Sequence, residues 1–180
     1  DGGLRSLVGT RAFYKKVLLV AVPIMIQNGI TNFVSLLDNI MVGQVGTEQM
    51  SGVAIANQLV FIFNLCIFGA VAGAGILGAQ FYGSGNSEGV RDTFRFKLLF
   101  GVILSAIFAV IFLTVGEPLI QQFIHQGEGI GDLEATRSYG KAYLEVIVIG
   151  ILPFALTQCY SGTLRETGET VIPMIAGIIA

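Results

Sequence analysis

The chain has 180 residues, 53% of them hydrophobic and 12% charged, with a mean hydropathy of +0.77. A water-soluble domain carries about 25% charged residues, so this is the composition of a membrane protein. The net charge of −2 gives no general attraction for nucleic acid, and Cys66 and Cys159 both lie in apolar runs, which argues against a disulfide framework.

Residues 1–16 hold Arg5, Arg11, Lys15 and Lys16 and read as a basic cytoplasmic segment. The apolar run that follows lacks a small-x-small cleavage site, and three long uncharged stretches come after it, so it reads as a retained span rather than a signal peptide. This first span is expected over about 17–42, with Pro23 inside it. A proline there removes a backbone donor and bends the helix. The bend is either a fixed kink or a moving hinge.

Within the span VLLVAVPIMIQNGITNFVSLLDNIMV the one formal charge is Asp38. On a helical wheel with Gln27 at zero, Asp38 falls at about 20°, Thr31 at about 40° and Ser35 at about 80°, while Asn28, Asn32 and Asn39 fall at roughly 100–140°. The strongly polar side chains share one arc and the rest of the circumference is apolar. A charged Asp in mid-membrane costs about 2.5–3.5 kcal/mol on insertion scales, a cost removed by protonation or offset by a bound cation. The oxygens of Thr31, Asn32 and Ser35 suit a hard cation, so Na⁺ at Asp38 is one expectation and H⁺ the other. The competing reading makes Asp38 a helix-end residue in the headgroup zone.

After the short turn GQVGTEQMSG, a second helix is expected over about 51–81, since there is no charge from Gln49 to Ser87. Asn57, Phe61 and Asn64 share one face, with Gln58 at its edge. Its second half, GAVAGAGILGA, is a small-residue stripe that contains Gly69-x-x-x-Gly73 and is read as packing. A turn with Arg91, Arg95 and Lys97 leads into a third span, about 94–116, whose part from Leu98 to Gly116 is uncharged, with little polar beyond Ser105 and Thr114, and reads as lipid-facing and structural. Glu117 to Ser138 is expected to be the longest loop. It carries the lone His125, read as a surface residue with no transition-metal partners. The fourth helix is expected over about 134–164, with Lys141 and Glu145 paired at its entry and Pro153, Thr157 and Gln158 further in. Gln27, Asn28, Asn57, Gln58, Tyr143 and Gln158 are candidate cavity-lining residues from polarity alone.

Val171–Ala180 is ten apolar residues where a span needs about 20, so the sequence is expected to be part of a larger protein. With the N-terminus inside, the inner segments hold eight basic residues and the outer ones two, Arg137 and Lys141. The fold class is therefore an all-α membrane bundle of four complete spans and the start of a fifth, with a cytoplasmic N-terminus. No nucleotide-binding Gly-rich loop and no Ser/His/Asp set is present, so neither a nucleotide-driven pump nor an enzyme is indicated.

Three stretches then resemble one family. LLDNIMVGQVGTEQMSGVAIANQ is similar to the first-to-second-helix region of the multidrug and toxic compound extrusion (MATE) transporters. GAQFYGSGNSEGVRDTFRFK resembles the end of their second helix and the next loop, and LPFALTQCYSGTLRETGETVIPM their fourth helix, fourth loop and the start of the fifth. The resemblance implies twelve helices in two lobes of six, in the bacterial inner membrane, exchanging Na⁺ or H⁺ for small organic cations and other amphipathic compounds. It makes residues 17–180 an incomplete N-terminal lobe, with the second lobe as its missing partner and no cofactor beyond the coupling ion. It places the coupling acid at Asp38 and a bending proline at Pro23. RETGET departs from the family's more usual Arg-Gly-Thr-Gly-Asp-Thr at Glu166 and Glu169. The alternatives are a lipid-linked saccharide flippase of the same superfamily, a half-size transporter working as a homodimer, and a membrane fragment that transports nothing alone.

Overall fold

The computed structural model describes residues 10–126 and 132–179. They form five helices: α1 (Arg11–Val45), α2 (Thr47–Gly83), α3 (Ser87–Gln126), α4 (Leu133–Glu166) and α5 (Val171–Ile179). The first four are each long and apolar enough to cross a membrane. Each expected span lies inside a longer helix. α1 starts at Arg11, ahead of the expected span, and so takes in Arg11, Lys15 and Lys16; Thr10 Oγ1 caps it by accepting from Phe13 N at 3.3 Å.

The expected loop from Glu117 to Ser138 is a correction. α3 continues through Pro118 to Gln126, and α4 begins at Leu133. The continuation is held by packing, since Ile120 is fully buried in the core and Leu119 packs on it. Glu117 does not end the helix because Arg137 and Lys141 of α4 neutralise it, Lys141 at 2.9 Å. Lys141 thus pairs across helices with Glu117 rather than with Glu145. His125 falls in helical backbone, and its side chain lies outside the described residues.

α2, α3 and α4 form a three-helix core. Ala56, Leu59, Phe63 and Ile67 make one stripe along α2, meeting Phe112 and Ile120 of α3 and Leu144, Ile151 and Ala155 of α4. Phe63 stands edge-on to Phe108 at 5.2 Å. The α2 and α4 backbones touch at Gly52, where a Cβ would lie 2.6 Å from Thr136 O. Small residues do bring these helices together, at Gly52 and within the stripe the sequence marked, though not at the Gly69-x-x-x-Gly73 pair. Gly69 and Gly73 have open space at the Cβ position, and the tight contacts fall at Gly52, Gly75 and Gly78.

α1 is different in kind. It has no buried residue and packs mainly on α5 and, less, on α2. Only Gly46 separates α1 from α2, at φ 152, a value that L side chains rarely adopt. The α4–α5 turn is closed by Gly168 at φ 86, with Glu169 N donating to Leu164 O at 2.8 Å and Gly168 N to Arg165 O at 3.1 Å. This geometry needs the glycine of RETGET and leaves the residues before it in the last turn of α4.

Candidate functional site

The unbroken α1 helix keeps the polar arc in line. Thr31 Oγ1 donates to Gln27 O at 3.0 Å, Ser35 Oγ to Thr31 O at 3.0 Å, and Asn39 Nδ2 to Ser35 O at 2.9 Å. Each hydroxyl proton is tied to the helix, and the oxygen lone pairs remain free to accept. Asp38, Thr31, Asn32 and Ser35 are all exposed on the described surface, and no Lys or Arg pairs with Asp38 among the described residues. Seven residues separate Thr31 from Asp38, about 10 Å along a helix. That is too far for the two to share one ion's first shell, whereas Ser35 is one turn away. Asn32, six residues off, is likewise out of direct reach.

Tyr143 Oη of α4 donates to Asn57 Oδ1 of α2 at 3.2 Å. Two residues picked from polarity alone are therefore joined to each other. Asn28 and Gln58 are exposed and make no side-chain hydrogen bond among the described residues.

Gln27 and Gln158 belong to the other end of the bundle, where α4 terminates. Gln27 lies about 16 Å along α1 from Asp38. Its Oε1 accepts from Arg165 Nη2 at 2.6 Å. It also lines a cavity of about 480 Å³ between α1, α4 and α5, with Tyr160, Leu164 and Pro173 on the facing wall. Gln158 lines a separate groove of about 380 Å³ between α2 and α4, which Arg165 and Glu166 border. The polarity argument thus merged two places. Pro23, half-buried, stands one turn before Gln27 in continuous helix.

Sequence reasoning missed the charges at this end. Lys97, counted there as a flanking basic residue, is 2% exposed inside the bundle. Its Nζ donates to both carboxylate oxygens of Glu166, to Oε1 at 2.6 Å, and to Thr163 Oγ1 at 3.4 Å. The carboxylate passes between the helices where α2 offers bare backbone: a Cβ at Gly75 would sit 2.3 Å from Oε1, and one at Gly78 2.6 Å from Oε2. Glu166 is one of the two departures in RETGET, and its opposite charge at the same end as Lys97 was the available signal.

The family model MatE matches residues 23–180. The chain is 30% identical over 162 residues to "Probable multidrug resistance protein NorM" of Thermotoga maritima, covering 89% of the chain and 33% of that protein. It is 24% identical over 172 residues to "Multidrug resistance protein PmpM" of Pseudomonas aeruginosa, covering 94% of the chain and 35% of that protein. The chain thus spans about a third of the length of these curated relatives. With four membrane-spanning helices and bacterial relatives, it is a multi-pass protein of the bacterial plasma membrane. By the match along most of its length, the chain belongs to the MatE family.

Proposed function

We propose that this chain is the first lobe of a secondary active exporter that exchanges Na⁺ or H⁺ for cationic and amphipathic compounds by alternating access. Asp38 is the coupling acid, with Ser35 beside it, and the Tyr143–Asn57 pair lines the cavity. Thr31 and Asn32 extend the same wet face inward, and Pro23 is the point where α1 bends. The observation that carries this is one carboxylate, unpaired among the described residues, on the polar arc of α1. An ion or proton arriving there removes a charge that is costly in lipid. The two packings of α1 then differ in their affinity for that ion, and such a difference is the only way a ligand shifts a conformational equilibrium. The basic residue distribution supports a cytoplasmic N-terminus, with Asp38 in the outer half of the membrane. No enzymatic step and no cofactor enter this reading.

The test is Asp38→Asn in the full-length protein. It is expected to insert at normal levels and lose ion-coupled export, and undiminished export would sink the assignment. One observation favours the second reading, a flippase for an anionic lipid-linked saccharide. The wet face of α1 carries no Lys or Arg of its own, yet Arg165 donates into its inner end. A drug-resistance assay beside a lipid-flipping assay separates the two.

A further inference from the structure

Among the described residues, Arg165 is a cation without a counter-anion. Its neighbour Glu166 is committed to Lys97 through both oxygens, so that pair presents no net charge. Arg165 makes one hydrogen bond among the described residues, to the neutral amide of Gln27, and its Nε is enclosed without an acceptor. A guanidinium has five donors in a fork shaped for carboxylate and phosphate, so most of this one's capacity is unused.

The same residue borders the groove of about 380 Å³ whose other walls are chiefly apolar, among them Phe68, Ala72, Ile76 and Ala79 of α2. From Phe68 to Gly75, where Glu166 touches α2, the groove runs for about 10 Å, most of one leaflet of a hydrocarbon core about 30 Å thick. The level fits too. Leu65 is the middle of α2, and Gly75 and Gly78, which touch Glu166, lie about 15–20 Å beyond it. Hydrocarbon gives way to headgroups at that distance from the midplane. Arg165 therefore stands at phosphate depth, with an apolar trough leading from it towards the membrane centre.

We propose that this groove binds one phospholipid with an anionic headgroup, its phosphate on Arg165 and the upper part of one acyl chain along Phe68, Val71 and Ala72. The proposal is independent of the role given to Asp38. Lipid retention is measured, not transport.

The experiment uses the full-length protein, exchanged into phosphatidylglycerol and phosphatidylcholine with matched acyl chains and read by native mass spectrometry. The wild type is expected to retain one phosphatidylglycerol in preference to phosphatidylcholine by about tenfold, the scale of one charge-assisted contact. Arg165→Gln brings the preference near unity, and Arg165→Lys, which keeps the charge, keeps most of it. Ala72→Phe, which fills the trough, loses both lipids while melting like the wild type. No retained lipid in the wild type would mean that another part of the protein fills the groove, and overturns the proposal. So does an unchanged preference in Arg165→Gln, or a preference lost equally in Arg165→Gln and Arg165→Lys. Displacement of the lipid by millimolar inorganic phosphate alone would identify a free anion as the ligand and overturn the lipid assignment.

Discussion

At the scale of single residues, burial decides which charges are structural and which are free to act. Lys97 is buried and held by Glu166, while Asp38 is exposed and unpaired among the described residues. Removing one partner of a buried pair strands the other and costs about 3–5 kcal/mol, whereas replacing both by apolar groups is often neutral. Lys97→Met is therefore expected to lower thermal stability sharply, and Lys97→Met with Glu166→Leu to recover most of it. A double variant as unstable as the single one would show that the pair does not act as a unit. Gln27→Leu removes the only acceptor found for Arg165 and is expected to cost about 1–3 kcal/mol, read by denaturation in detergent. Asp38 was legible in the sequence because it is the single charge in its span. Lys97 and Glu166 were not, because 69 residues separate them and each sits in a stretch that reads as a turn.

At the scale of elements, existence was easier to read than extent. Uncharged runs marked every span, since lipid tolerates few charges. Their ends were set short where a polar turn or a charge such as Glu117 broke the uncharged run. The structure shows why that fails for α3: Glu117 is neutralised by α4, and Ile120 anchors the turn beyond Pro118. Periodicity could not choose among the glycines of α2 either, because a close approach depends on what faces it. Gly52 faces the α4 backbone and Gly69 faces open space. Gly52→Leu is accordingly expected to destabilise the bundle by about 1–3 kcal/mol through overpacking, and Gly69→Leu to leave its melting temperature nearly unchanged. Equal effects at the two positions would contradict this placement of the α2–α4 contact.

At the scale of the whole molecule, the bundle divides into a packed trio, α2–α4, and a looser pair, α1 with α5. The trio is fastened at one end by Glu117 with Arg137 and Lys141, and at the other by Lys97 with Glu166. Between α1 and the trio, the side-chain hydrogen bond found among the described residues is Arg165 to Gln27. If α1 is the part that moves, spin labels on α2 and α4 keep their distance through the transport cycle, while a label on α1 shifts relative to both. The chain spans about a third of its curated relatives, so reconstituted alone it is expected to carry no coupled flux. The most direct test of the central claim is counter-ion-driven export by the full-length protein in proteoliposomes, wild type beside Asp38→Asn. The expected result is export that rises with an imposed Na⁺ or H⁺ gradient in the wild type and ignores both gradients in Asp38→Asn, with substrate binding retained. A variant that still responds to the gradient would contradict the assignment of Asp38 as the coupling acid.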